Sequence, residues 1–159
     1  MELTELLRPK DFVLDFEPED KWDAIGQLVD HAVATGKLPA AAAPAMRDAV
    51  VSRERSMSTG MERGIAIPHA AVDGLERCQA VVGIVARRNG LAFDAIDAQP
   101  SRIVVLLLIP RSQKLVHIRT LAEIARVLGQ DAVRAALLSA TSCGEAWEAL
   151  RQGEGAHPG

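Results

Sequence analysis

Aromatic residues are scarce in this chain, at 3% of its residues, with three Phe, two Trp and no Tyr. That leaves little material for the stacking platforms on which single-stranded nucleic acids lie. Positive charge is not in excess either: 18 Lys and Arg stand against 21 Asp and Glu, for a net charge of −3. Nucleic-acid binders usually carry a basic patch or stripe, so this balance argues against a nucleic-acid partner. Cys78 and Cys143 are the two cysteines, far apart and in no CxxC spacing. That excludes a disulfide framework, and it fits a reducing compartment. The longest apolar run covers residues 103–109 and is far too short to span a bilayer. The N-terminus, Met1-Glu-Leu-Thr-Glu5, has neither the basic region nor the apolar core of a signal peptide. The expectation is a cytoplasmic protein with no direct membrane insertion.

What is present suits one globular unit. The 159 residues are 48% hydrophobic and 25% charged, enough to bury a sizeable core. No internal repeat and no long linker divides them, so residues 1–151 read as a single domain. Residues 152–159, rich in glycine, read as a disordered tail. Residues 2–8 suit a short amphipathic helix and 12–16 a short extended stretch. Pro18-Glu-Asp20 then opens a helix in which Trp22, Ile25, Val29, Ala32 and Val33 recur at helical spacing, with Gly36 as its stop. Residues 39–53 read as a second helix, with Pro44 tolerable only near its first turn. Residues 52–69 look like an ordered loop feeding a short strand, Ile65-Ala-Ile67, and 80–86 is a further strand. Residues 102–109 lack period-2 alternation and lie between Pro100 and Pro110, which predicts a central strand buried on both faces. Residues 113–128 form a helical stripe through His117, Leu121, Ile124 and Leu128, stopped by Gly129, and 131–138 and 143–150 are shorter helices. Strands in the middle with helices before and after predict an α/β fold, a mixed sheet covered by helices.

Four histidines offer chemistry. His157 lies in the tail, and His31 sits late in the first long helix as an ordinary helix histidine. His69 directly follows Ile65-Ala-Ile-Pro68. Proline removes a backbone donor, so pairing should end there and the next side chain should stand at a strand end, where functional groups gather. His117 falls near the start of a helix, where unpaired N–H groups and the dipole make a natural seat for phosphate and favour a neutral imidazole. On spacing alone, each could equally be a histidine that satisfies a carbonyl or covers the core. No HxH or HExxH suggests a metal, no GxGxxG or GxxxxGK[ST] a nucleotide, and no GxSxG a nucleophile elbow. No metal and no cofactor is therefore expected. What remains is histidine acting itself as a phosphoryl acceptor.

These residues also form a recognisable set. Arg53-Glu54, Ser58-Thr59-Gly60 and Gly64-Ile-Ala-Ile-Pro-His69 resemble the phosphorylation-site signature of enzyme IIA proteins of the bacterial phosphotransferase system, of the fructose, mannitol and nitrogen-regulatory class. The resemblance continues through Phe93-Asp-Ala-Ile-Asp97 with Pro100, which look most like the nitrogen-regulatory branch, and through Ile109-Pro110 and His117-Ile-Arg-Thr-Leu121. It implies an α/β sandwich of the type-2 IIA kind. It implies His69 as the phosphorylated histidine, carrying the group on Nε2, with His117 as the partner that stabilises it. Arg53 would lie near the phosphate, and Thr59 would help shape the phosphate pocket. The donor it implies is a histidine phosphocarrier protein (HPr-like), and the protein would be a carrier rather than a stand-alone turnover enzyme. Output would go either to a regulatory target that binds one phosphorylation state or to a separate IIB in sugar uptake. A third reading keeps the fold as a binding module that is no longer phosphorylated. Two departures bear on which donor docks: Met57 where a glycine is common, and Glu62-Arg63 in a loop that is usually small.

Overall fold

The computed structural model describes residues 2–156. Its elements, in order, are α1 (Leu3–Leu6), β1 (Phe12–Phe16), α2 (Lys21–Ala34), α3 (Ala43–Ser56), β2 (Ile65–Ala66), β3 (His69–Val72), β4 (Gln79–Val85), β5 (Ile103–Pro110), α4 (Lys114–Leu128), α5 (Asp131–Ser139) and α6 (Cys143–Gly155). Local chemistry sets the helix ends. The Asp20 side chain accepts from the Asp23 amide at 2.8 Å and starts α2. Gly36, at φ +83°, closes it, with the Lys37 amide reaching back to the Ala32 carbonyl at 2.9 Å. Pro44 falls in the first turn of α3, where a missing N–H costs nothing.

The sheet is mixed, in the order β1-β4-β5-β2, with β3 also on β5. β4 and β5 are antiparallel, while β1 runs parallel to β4 and β2 and β3 run parallel to β5. All eight residues of β5 are buried. Ile103, Val105, Leu107 and Ile109 enter the core beneath α1, α4, α5 and α6, and Val104, Leu106 and Leu108 enter the core beneath α2 and α3. A strand packed on both faces needs apolar side chains at both parities, which is why its sequence shows no alternation. The architecture is the expected α/β arrangement, a mixed sheet flanked by helices.

Three sequence expectations are corrected. Pairing does not end at Pro68. Ala66 lies opposite Val104 and His69 opposite Leu107, so β2 and β3 track β5 in one register on either side of the proline. Pro68 lacks an amide, but its carbonyl accepts from Leu107 at 3.0 Å and the edge resumes at His69. Trp22 does not join the buried face of α2. It is 37% exposed, with Lys21 Nζ 4.9 Å from its ring centroid and Arg55 at 5.7 Å.

The expected tail is also wrong for 152–155, because α6 runs on through Gly155. Gly153 acts there as a packing residue and not as a breaker: a Cβ on it would stand 2.3 Å from Val133 Cγ2, and its carbonyl accepts from Gln130 Nε2 at 2.8 Å. The next residue, Glu154, holds the start of α1 by accepting from the amides of Leu3 and Thr4 and from Thr4 Oγ1. Residues 157–159 of that expected tail, His157 included, lie outside the described residues.

Close packing across β1 and β4 makes one position testable. A Cβ on Gly83 would stand 2.5 Å from Phe16 Cδ2. Overpacking of this kind costs about 1–3 kcal/mol. Gly83→Ala should therefore lower the urea midpoint of unfolding by a corresponding amount, and an unchanged midpoint would show that Phe16 can move aside freely.

Candidate functional site

His69 opens β3, and the two-residue period of a strand decides where it points. Ile65 and Ile67 enter the core beneath α4, while Ala66, Ala70 and Val72 enter the opposite one. His69 shares the parity of Ile65 and Ile67 and so faces the layer that contains α4. His117 comes from the first turn of α4, its own amide bonded to the Gln113 carbonyl at 3.1 Å. The two imidazoles meet edge to face, their centroids 5.4 Å apart and their planes at 73°. Both rings are half-buried.

The His69 ring is oriented by its own strand. Nδ1 lies 2.7 Å from the Ile67 carbonyl oxygen. A carbonyl only accepts, so Nδ1 carries the proton and a neutral ring presents its lone pair at Nε2. Among the described residues nothing hydrogen-bonds Nε2. Burial lowers the His69 pKa below its ordinary value, the Ile67 bond opposes that shift, and the charges of Arg53 and His117 add to it. The ring is thereby kept neutral, the form that can act as a nucleophile.

A groove of about 470 Å³ opens beside this ring, walled among others by Arg53, Met57, Thr59, Ile96 and Leu121. Arg53 reaches it from the last turn of α3, with Nη1 donating to the Met57 carbonyl at 2.8 Å, which leaves most of the guanidinium donors uncommitted. Thr59 is different. Its hydroxyl and its amide both donate to the carboxylate of Glu54, and its carbonyl accepts from Ile67 at 3.1 Å. Its hydroxyl proton is thus committed to Glu54, and Thr59 fixes the loop rather than offering that proton to the groove.

Sequence reasoning missed that anchor. Glu54 is 2% exposed, although it lies between Arg53 and Arg55 in a charged run. Lys21 bridges it at 3.2 Å to Asp94 at 3.0 Å. Burial opposes the charge on Lys21, but its hydrogen bonds to the two carboxylates outweigh it and raise its pKa. The bridge ties α2, α3 and the 93–98 loop together. In that loop Asp94 and Ala98 hold positive φ values of 50° and 61°, and Gly60 packs so close that a Cβ would stand 2.6 Å from the Phe93 carbonyl oxygen. A charged residue one position from Arg53 reads as solvated, and only the turn of the helix shows that it points inward. Elsewhere, His31 Nε2 lies 2.8 Å from the Lys10 carbonyl, which gives it a structural partner. Among the described residues no three His, Cys, Asp or Glu side chains gather as metal ligands, and no helix is long and apolar enough to cross a membrane.

Two measurements follow. Because the His69 pKa is depressed, an NMR titration should place its midpoint below the roughly 6.5 of a free imidazole. Its contribution to stability is then complete above about pH 6.5 and is lost as pH falls through the folded midpoint, since the unfolded ring takes the proton first. A midpoint at or above 6.5 contradicts the depressed value. Glu54→Ala removes a buried carboxylate from Lys21 and Thr59 and should cost about 3–5 kcal/mol in urea unfolding. Glu54→Gln, which keeps the shape and an acceptor oxygen but not the charge, should cost less yet still destabilise, and a Gln variant as stable as the wild type would deny the ion pair a part.

Comparison with known proteins identifies the family and the fold. Residues 5–153 match the family model of the phosphoenolpyruvate-dependent sugar phosphotransferase system, EIIA 2. The fructose-specific EIIA component of Haloferax volcanii is 33% identical over 129 residues, 81% of each chain. The nitrogen regulatory protein of Escherichia coli K12 is 35% identical over 108 residues, 68% of this chain and 66% of its own. The chain spans about a fifth of the fructose-specific EIIABC component of Bacillus subtilis (22% of its length, at 28% identity). The crystal structure of nitrogen regulatory protein IIA-Ntr from Neisseria meningitidis superposes with a TM-score of 0.81 at 26% identity, covering 93% of this chain and 98% of that one. The fold is shared as well by the E. coli mannitol enzyme IIA in its complex with phosphorylated enzyme IIB (TM-score 0.76, 21% identity, 92% and 97% covered). With the family model matched over residues 5–153 and a fold that points the same way, the chain belongs to the type-2 EIIA family of the phosphoenolpyruvate-dependent sugar phosphotransferase system.

Proposed function

We propose that the protein is a phosphoryl carrier that accepts the group on His69 Nε2 from a phosphohistidine carrier protein. The observation that carries this reading is the pairing of a locked Nδ1–H with an unengaged Nε2 beside a second imidazole. In the transfer, the Nε2 lone pair attacks phosphorus as the donor's P–N bond breaks. The leaving imidazole keeps the electron pair of that bond, and the proton of His69 stays on Nδ1, donated to the Ile67 carbonyl, so no net proton moves. Charge spreads over three phosphoryl oxygens in such a transition state, and donors aimed at them lower the barrier. Arg53 supplies a charge-assisted fork and His117 an N–H from the other side. Thr59 shapes the pocket by holding the loop with Glu54 and Ile67.

The rim supports a protein donor rather than a small one. Met57 and Ile96 are 69% and 75% exposed on the groove that holds His69, and Leu115 and Ile118 are exposed on α4 either side of His117. Exposed apolar groups around a polar centre are what a transient protein interface buries. Met57, a departure in the sequence, thus belongs to the surface that meets the partner.

For output, we favour regulation through a contact that changes when roughly two negative charges are added at His69. The likeness to nitrogen regulatory proteins and the Phe93 to Pro100 stretch support it. A second reading, transfer to a separate IIB in sugar uptake, draws on the fructose-specific relative that matches four fifths of both chains.

Incubation with phosphoenolpyruvate, enzyme I and the phosphocarrier should place acid-labile phosphate on the wild type and none on His69→Ala. His117→Ala should accept it at least tenfold more slowly. A wild type that takes no label would leave only the binding-module reading. Rapid passage of the label to a fructose-type IIB would favour transport, while retention together with a target captured by one form alone would favour regulation.

A further inference from the structure

Four arginines meet away from His69, where the first residues of β5 approach the C-terminal end of α4. We propose that the groove of about 340 Å³ walled by Arg63, Arg88, Arg102 and Arg134 is a second anion site, built for a small ligand that carries two linked phosphate groups. It is distinct from the phosphoryl site, and the two grooves share no wall residue. Arg102 precedes Ile103, and His69 lies opposite Leu107 on the same strand. From Arg102 to Leu107 is five residues, about 16 Å at roughly 3.3 Å per residue.

Like charges gather in this way against their mutual repulsion, here in a chain whose net charge is −3. Structural duties account for only part of the cluster. Arg63 Nη1 donates to the Gly129 carbonyl at 3.0 Å and Arg134 Nη1 to the Leu128 carbonyl at 2.9 Å, so both also hold the end of α4. Arg134 is paired with Asp131 as well. Arg102 Nη2 donates to the Val85 carbonyl at 3.2 Å, while its Nε–H is buried with no acceptor. Among the described residues Arg88 has no partner at all. The other nearby carboxylate, Asp97, has its oxygens on the amides of Arg63 and Gln99, both at 3.0 Å. Four guanidiniums thus face two carboxylates, a local surplus of two positive charges.

A guanidinium has five donors in a planar fork. Arg63 and Arg102 each spend one of them in these bonds, and Arg88 spends none. A buried donor without an acceptor is costly, and the Nε–H of Arg102, a residue of the groove wall, is such a donor. Forks arriving from four separate segments need acceptors in several directions. A tetrahedral phosphate offers these and a planar carboxylate does not. One phosphate engages about two forks, so four forks with a surplus of two charges fit a diphosphate.

Inorganic pyrophosphate is the probe, titrated calorimetrically into the full chain at low ionic strength. The wild type should bind one equivalent, more tightly than orthophosphate. Arg88→Ala and Arg102→Lys should each weaken it at least fivefold while their thermal melts stay cooperative, and binding should weaken steeply with added salt. Arg53→Ala, on the other groove, should leave the affinity unchanged. Three results would overturn the site: no binding, the same affinity in both groove variants, or loss of binding on Arg53→Ala alone. None of them touches the assignment of His69, whose test is phosphate acceptance.

Discussion

The bond from Nδ1 of His69 to the carbonyl of Ile67 is the interaction on which the rest of the site depends. It joins the first residue of β3 to the residue before Pro68, and it decides which nitrogen carries the proton and which presents a lone pair. A free imidazole divides its proton between two nitrogens and half-titrates near physiological pH. Here backbone geometry selects the tautomer, and burial keeps the ring neutral. The strand break makes this possible. Between β2 and β3 the Ile67 carbonyl faces the His69 ring, while the register along β5 continues on either side.

Around that ring the protein sets groups from three separate elements, each held by something other than the site itself. α4 delivers His117 because its Ile124, Val127 and Leu128 are in the core. α3 delivers Arg53, and the buried Glu54 beside it fastens the following loop through Thr59. Lys21 carries the same constraint into α2 and the 93–98 loop. A half-buried lysine between one buried and one exposed carboxylate is modest evidence of stability. Its value here is positional, because it connects three segments that share no strand or helix.

Much of this was legible in the sequence. The helices and β5 follow from periodicity and from apolar content at both parities, and the motif around His69 carried the family. The rest was hidden for definite reasons. Proline is a good stop signal, so β3 was invisible until its register showed the edge resuming. Gly153 reads as a helix breaker, because a sequence shows a glycine's freedom and not the Val133 methyl it makes room for. Trp22 fits a helical stripe, yet it stands under two cations at the surface. Glu54 sits among charges, and its burial depends on helix phase and on neighbours far along the chain. The four arginines of the second groove come from four segments, and nothing local announces their meeting.

The contact between Glu154 and the amides of Leu3 and Thr4 leaves the two ends of the described chain side by side. A unit whose entry and exit coincide can be spliced into the surface turn of a host protein without stretching either party. By the same geometry a short glycine bridge could join the ends and new termini could be opened in an exposed turn such as the one around Gly74, turning the molecule into a circular permutant with the His69–His117 pair still held by β3 and α4.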